Sequence, residues 1–120
     1  MTDRSKRFGA WGEDAAASYL TENGFRLLER NYRTKYGELD LIAEEGETLV
    51  FLEVKARHGL SYGSPKAAVD ARKQEHLRQA ALLYLQEHTE LAERPLRFDV
   101  ISIVKENGKR AQLEHIRAAF

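Results

Sequence analysis

The order of apolar and polar positions predicts a change from helical to β structure within the first half of the chain. Apolar and small residues first recur at intervals of three and four, which is typical of an amphipathic helix, and Gly24 suits the left-handed position just past its end. Alternating apolar and charged residues then predict three strands, the last two joined by the hairpin signal Glu45-Gly46-Glu47. The predicted elements are a helix at residues 5–23 and strands at residues 25–33, 38–44 and 48–57.

The second half of the chain again begins with a helical pattern and continues with strands. After a loop predicted at residues 59–65, helical spacing returns, and Pro95 prevents that helix from continuing. Two strands follow, at residues 96–105 and 111–116, joined by a turn at Asn107-Gly108. The buried face of the second helix consists of Leu77, Ala80, Ala81, Tyr84 and Leu85. The order α-β-β-β-α-β-β predicts a single α/β domain over residues 1–120, in which helices flank a mixed central sheet.

Composition agrees with one globular domain. The chain has 120 residues, of which 42% are apolar and 32% are charged. The longest apolar run, residues 80–85, is far shorter than the roughly 20 residues needed to cross a bilayer, so no membrane partner is expected. The absence of cysteine and of a secretory signal pattern favours a cytoplasmic location.

Charge excludes strong long-range attraction to nucleic acid, because 19 basic and 19 acidic residues cancel. Basic residues are nevertheless clustered, and each cluster is either a set of phosphate contacts or an ordinary solvated face. The candidates for nucleic-acid contacts in these clusters are Arg33, Lys35, Arg57 and Lys73.

The hairpin brings charged residues together. Side chains alternate along a strand, so Glu53 and Lys55 lie on the same face. A two-residue type II′ turn at Gly46-Glu47 would set Asp40 opposite Glu53 and Glu38 opposite Lys55. Directly opposed residues have Cβ atoms roughly 4.5 to 5.5 Å apart, which is close enough for two carboxylates to share one divalent ion.

This arrangement has a chemical and a structural interpretation. Facing carboxylates repel unless a cation or a raised pKa relieves them, and Mg²⁺ suits carboxylate ligands while leaving room for phosphate oxygens. Lys55 beside the ion would support phosphodiester hydrolysis. Spacing alone favours an exposed charge ladder, since charged cross-strand pairs are common and one added loop residue would separate the pair.

The motif residues resemble a known family. Gly-Glu-Leu-Asp-Leu-Ile at residues 37–42 and Val-Phe-Leu-Glu-Val-Lys-Ala-Arg at residues 50–57 are similar to the bacterial YraN family. The likeness covers nearly the whole chain and also includes Gly9, Gly12, Glu13, Ala16, Arg30-Asn31-Tyr32-Arg33, Lys73 and Arg97-Phe98-Asp99-Val100. It implies a minimal member of the PD-(D/E)XK nuclease superfamily, with the restriction-endonuclease-like core also found in archaeal Holliday junction resolvases.

The resemblance assigns roles to single residues. Asp40 matches the first metal-binding acid of that superfamily, Glu53 the second and Lys55 the lysine two positions later, which implies Mg²⁺ or Mn²⁺ as cofactor. Glu13 matches a first-helix glutamate near the metal and is interpreted as a secondary site residue, the alternative being a glutamate on the helix surface. The proline that gives the motif its name is absent, and Leu39 precedes Asp40 instead.

Two further residues have open interpretations. Lys73 lies four residues before Leu77, on the inward face of its helix, where it either contacts phosphate or the acids, or covers apolar surface with its stem. Asp99 alternates away from its apolar neighbours and is interpreted as structural, either as a buried partner of an arginine or of Lys73, or as a solvated residue.

These observations support a metal-dependent endonuclease acting on DNA, possible substrates being branched or recombination intermediates. Asp40, Glu53 and Lys55 are its predicted catalytic residues, with Glu13, Glu38 and Lys73 in support. The alternatives are a non-catalytic nucleic-acid-binding module that acts with a repair or recombination partner, and a protein-interaction domain. A homodimer is expected because the related resolvases are dimers and two-fold symmetry is common.

Overall fold

The computed structural model describes residues 3–59 and 69–120 and has an α/β fold. Within these residues, two α-helices, five strands and a short 3-10 helix at Thr89–Leu91 follow the predicted order α-β-β-β-α-β-β. The elements are α1 (Asp3–Glu22), β1 (Arg26–Thr34), β2 (Gly37–Glu45), β3 (Thr48–His58), α2 (Ala71–Glu87), β4 (Leu96–Lys105) and β5 (Gln112–Ile116). The ends of these helices and strands lie within two residues of the ends that were predicted for them. The predicted loop beyond Gly59 lies outside the described residues.

The strands form a single mixed sheet in the part of the chain that the structure describes, in the order β1-β2-β3-β4-β5. β3 and β4 are parallel and pair from Leu49–Leu96 to His58–Lys105, whereas the other neighbours are antiparallel. A parallel pair requires a crossover, which α2 provides. The beginning of β2 and the carboxyl ends of β3 and β4 therefore lie at the same end of the sheet.

The two helices cover opposite faces of the sheet, because side chains of β3 alternate between two cores. Phe51 packs in a core with Tyr84 of α2, whereas Leu52 packs with Leu20 of α1. The α1 core contains Ala16, Leu20, Phe25, Leu41, Ala43, Val50, Leu52, Ile101 and Ile103. The predicted layers are thus confirmed, with one apolar helical stripe buried on each face.

Local signals define where the helices end and begin. Gly24 has a φ of +88°, the left-handed conformation expected after α1, and the N–H of Phe25 donates to the carbonyl of Leu20 at 2.9 Å. At the start of α2, the Asp70 carboxylate accepts a hydrogen bond from the N–H of Lys73 at 2.9 Å. Neither these helices nor any other helix in residues 3–59 and 69–120 has the length and hydropathy needed to span a bilayer.

Asp99 is fully buried, with 0% of its surface exposed, and both of its carboxylate oxygens are hydrogen-bonded. Arg97 donates to its two oxygens at 2.8 and 2.9 Å, and the N–H of Ala118 donates at 3.0 Å. Nε2 of His115 lies 2.8 Å from the second oxygen, while Nδ1 of the same ring lies 2.9 Å from the Tyr19 hydroxyl. Asp99 is therefore the buried arginine partner that the sequence allowed, and it does not pair with Lys73.

The partners of Asp99 also set its acidity. Burial by itself raises the pKa of this carboxyl, but the hydrogen bonds from His115, Arg97 and Ala118 favour the ionised form more strongly and lower the pKa to about 2. The ionised carboxylate consequently stabilises the fold.

Asp99→Asn is expected to weaken the acid dependence of folding. Because the folded protein lowers the pKa of Asp99 from 3.8, its contribution is present above about pH 4 and is lost as the pH falls towards about 2. Urea unfolding should show a smaller decrease in the free energy of unfolding between these pH values in the variant. At pH 7 the variant should be less stable by roughly 1–3 kcal/mol. Equal acid slopes in both proteins would contradict the assigned pKa.

Candidate metal centre

The candidate centre begins where the backbone pairing of β2 and β3 stops. Pairing runs from Glu45–Thr48 to Leu41–Leu52, which confirms the predicted register at each of these positions. Gly46 in the turn has a φ of +60°, as a type II′ turn requires at its first central residue.

The next predicted pair does not form as a backbone pair. The N–H of Val54 instead donates to Oδ2 of Asp40 at 2.8 Å. The predicted pairs Asp40–Glu53 and Glu38–Lys55 are thus absent from the ladder, because an Asp40 side-chain oxygen accepts the hydrogen bond from the β3 backbone.

Asp40 also interrupts the alternation of β2. Leu39 packs in the α2 core and Leu41 in the α1 core, although two residues spaced by two in a regular strand share a face. On the neighbouring strand, Asn31 lies between two residues that pair with Leu41 and Leu39, and it has a left-handed φ of 55°. Strain of this kind in a non-glycine residue is concentrated at functional sites.

Glu53 lies beside Asp40 and is the most deeply buried acid of the centre, with 6% of its side chain exposed. Its Oε1 is 3.5 Å from Nζ of Lys55. Its Oε2 is 3.8 Å from Nζ of Lys73, which is too long for a hydrogen bond, and this buried oxygen has no hydrogen-bond partner. An unpaired buried carboxylate oxygen is costly, so it calls for a ligand.

Burial and two neighbouring acids raise the pKa of Asp40. Burial is the largest cause that raises its pKa to about 8, and the negative charge of Glu53 is the second. The hydrogen bond from Val54 acts in the opposite direction, while Glu13 and a hydrogen bond with Glu53 raise the pKa further. A divalent cation would relieve the same repulsion by holding both carboxylates ionised.

Two more carboxylates complete the cluster. One oxygen each from Glu13, Glu38 and Asp40 lies within 4.8 Å of the others, a spacing at which they could ligate one ion. Burial raises the pKa of Glu13, partly offset by a hydrogen bond with Asn31. Hard oxygen ligands of this type suit Mg²⁺ or Mn²⁺. One ion could therefore be held by Asp40 together with Glu13 and Glu38, and Glu53 adjoins this group through its interaction with Asp40.

Glu13 reaches the centre because α1 approaches β3 very closely. Gly12 faces Ala56, and a Cβ built on Gly12 would lie 2.5 Å from the Cβ of Ala56, which is closer than two carbon atoms can approach. Nη2 of Arg30 on β1 lies 2.8 Å from Oδ1 of Asp14 and 3.9 Å from Oε1 of Glu13. Arg30 therefore links this turn of α1 to β1.

The basic residues predicted from the sequence divide into two groups. Lys55 forms an ion pair with one oxygen of Glu53, and Lys73 forms one with the other oxygen. Of the two interpretations of Lys73, the structure thus agrees with contact with the acids. Arg33 lies further out, with Nε 3.1 Å from Glu38, and Lys35 lies over the Tyr36 ring at 5.3 Å. Arg57 is near the end of β3. Arg33, Lys35 and Arg57 lie at the end of the sheet that carries the cluster.

Comparison of the sequence with known proteins assigns the chain to a family. The family model described as "Uncharacterised protein family UPF0102" matches residues 12–103. The chain belongs to the UPF0102 family. The YraN resemblance is thereby confirmed, since this is the same family.

UPF0102 relatives match the chain over nearly its full length. A UPF0102 protein of Rhodococcus opacus is 51% identical over 112 residues, which cover 93% of this chain and 94% of the relative. One from Syntrophomonas wolfei is 45% identical, covering 97% and 99%, and one from Moorella thermoacetica is 44% identical over the whole of both chains. The matched range contains every acid of the candidate centre together with Lys55 and Lys73.

Sequence reasoning did not identify the role of Asn31. It lies in the Arg30-Asn31-Tyr32-Arg33 segment of the YraN resemblance, but its strained backbone and its hydrogen bond with Glu13 depend on the β1–β2 pairing. An asparagine within an otherwise apolar and charged strand pattern was the one available signal, because asparagine is unusual in strands and tolerates the left-handed conformation.

Gly12→Ala is expected to displace α1 and destabilise the protein, and Ala56→Gly should partly correct this. The added methyl group overlaps Ala56, and overpacking typically costs about 1–3 kcal/mol, against roughly 1 kcal/mol gained in helix propensity. Urea unfolding of both single variants and the double variant gives the coupling energy between the sites. Strictly additive effects would show that the contact is unimportant.

Asp40→Asn is expected to stabilise the metal-free UPF0102 protein. Asp40 has a raised pKa in the folded state, so folding takes up a proton, and stability falls as the pH rises from about 4 to about 8. Asparagine removes this charge and retains an acceptor for Val54. In EDTA at pH 8, the variant should be more stable by on the order of 1–3 kcal/mol, with little difference at pH 4. A variant that is less stable at both pH values would refute the assigned direction.

Proposed function

We propose that this UPF0102 protein is a metal-dependent endonuclease that hydrolyses phosphodiester bonds of DNA. The observation that carries the proposal is the environment of Glu53: it lies beside Asp40, its Oε1 is 3.5 Å from Nζ of Lys55, and its buried Oε2 has no hydrogen-bond partner. An acid pair of this kind is destabilising for a merely structural role, but it suits a cation-binding site.

Asp40 and Glu53 would hold Mg²⁺ or Mn²⁺, with Glu13 and Glu38 as further or water-mediated ligands. The bound ion would supply an activated water and neutralise charge on the phosphate. The protein's own contribution is to keep these carboxylates in position: the Val54 N–H orients Asp40, and Asn31 orients Glu13.

Lys55 is the proposed lysine of the motif. Its ammonium lies 3.5 Å from Glu53, with 30% of the side chain exposed, so it faces both the acids and the solvent from which a substrate would approach. There it can donate hydrogen bonds to a phosphate oxygen and stabilise the negative charge that develops as the bond is cut.

The rim supplies contacts for the DNA backbone. Arg33, Lys35, Arg57 and Lys73 are the proposed phosphate contacts. With a net charge of zero, attraction is local, so binding should depend on a few such contacts and weaken with salt. Branched DNA cut by a homodimer is the form of this activity that the resemblance to resolvases favours.

A second candidate is a module of the same fold that binds nucleic acid without cutting it. It is favoured by the ion pairs of Lys55 and Lys73 with Glu53, which partly neutralise that acid without a metal. Structure-selective binding with no cleavage products in either Mg²⁺ or Mn²⁺ would support this module against the enzyme.

Asp40→Ala and Lys55→Ala are each expected to reduce cleavage of DNA by at least about 100-fold, since each removes a group that acts on the reacting phosphate. Cleavage of labelled branched and linear DNA is measured on gels in Mg²⁺, Mn²⁺ or EDTA. The control is Glu47→Ala, which removes an exposed acid in the turn at the opposite end of the hairpin. Unchanged cleavage by folded Asp40→Ala or Lys55→Ala protein would refute the enzyme.

A further inference from the structure

An open groove of about 810 Å³ adjoins the candidate metal centre. It shares Glu13 and Lys55 with that centre and extends past Phe8 and His58 to Lys105. Its position is at the carboxyl ends of the parallel strands β3 and β4, where crevices of α/β sheets commonly bind ligands. Its volume falls within the roughly 300–1,000 Å³ typical of small-ligand sites.

One wall of the groove is aromatic. The Phe8 ring stacks on His58, with ring centroids 4.0 Å apart and planes 24° apart, and on Trp11 at 5.2 Å and 23°. Phe8 is partly buried between these two neighbours, whereas His58 is exposed, so the face of the His58 ring that Phe8 does not cover is open. An exposed aromatic ring beside lysine side chains is a usual platform on which unpaired nucleobases stack.

The remaining lining is charged and polar. Two lysines, Lys55 and Lys105, and two acids, Glu13 and Glu106, line the groove. Glu106 is paired with Lys109 at 3.4 Å, and Glu13 belongs to the candidate metal centre, where a bound cation would offset its charge. The two lysines can then contact a phosphate backbone. A surface that combines rings with cations suits a nucleotide better than an apolar peptide.

We propose that the groove binds an unpaired nucleotide of a DNA strand, next to the phosphodiester bond at the metal centre, with its base stacked on the exposed ring of His58, which Phe8 holds in place from its other face. The inference rests on the proposed function and adds its substrate class, which is DNA with a single-stranded segment. A base inside a duplex could not stack there, because it is already stacked between its neighbours.

Binding is the direct test, with EDTA present so that cleavage does not enter the measurement. Fluorescence anisotropy compares a blunt duplex, the same duplex with a single-stranded extension, and an extension in which the bases are replaced by abasic sites. The extended duplex should bind wild-type protein most tightly, and the abasic extension should bind more weakly because it keeps only its phosphate contacts. Equal binding of all three would overturn the proposal.

Variants of the rings locate the effect. His58→Ala removes the ring on which the base stacks, and Phe8→Leu keeps the apolar volume but removes the ring that holds His58 in its stacking position. Each should weaken binding of the extended duplex roughly 5- to 100-fold, the range expected for one base–aromatic stack. Leu82→Ala, at a side chain 53% exposed on α2, is the surface control and should bind as wild type does. Wild-type affinity in His58→Ala would reject the stacking role.

A spectroscopic measurement separates stacking from loss of fold. With 2-aminopurine in the extension, wild-type protein should quench its emission, whereas Phe8→Leu should not. An extension-dependent affinity without any cleavage in Mn²⁺ would overturn the enzyme while supporting this groove. Cleavage of blunt and extended DNA at equal rates, with equal affinities, would overturn the groove and leave the enzyme standing.

Discussion

The candidate centre depends on the hydrogen bond from the backbone of Val54 to Asp40, which stands where the β2–β3 ladder would otherwise continue. Had backbone pairing gone on in the same register, Asp40 and Glu53 would form an ordinary cross-strand pair on a regular sheet. Because a side chain takes the hydrogen bond instead, the alternation of β2 is interrupted at Asp40. Acids from α1 and β2 can then meet Glu53 of β3 at one end of the sheet.

Both helical layers contribute to this end of the sheet. On one face, the close contact of Gly12 with Ala56 holds α1 against β3 and delivers Glu13. On the other, the Asp70 cap begins α2 so that Lys73 in its first turn reaches Glu53. The two cores are therefore what position the chemistry, since neither helix carries more than one residue of the centre.

The buried Asp99 and the partly buried Asp40 in the same sheet show the electrostatic difference between a structural role and a candidate site. Asp99 is surrounded by donors from Arg97, His115 and Ala118, and its pKa is lowered to about 2. Asp40 has one backbone donor and faces Glu53 and Glu13, and its pKa is raised to about 8. Fold stability favours the first arrangement, whereas the second retains a local repulsion that a cation would relieve.

The sequence by itself determined the element order, the register of the hairpin and the facing of Glu53 and Lys55, because these depend on local period and on the two-residue turn at Gly46. The YraN resemblance added Glu13. Tertiary structure alone decided that Asp40 leaves the ladder, that Asn31 contacts Glu13, and that Phe8 stacks on His58 beside the centre. Periodicity assigns a residue to a face, but which residues share one end of a sheet depends on how distant segments pack, and local pattern carries no information about that.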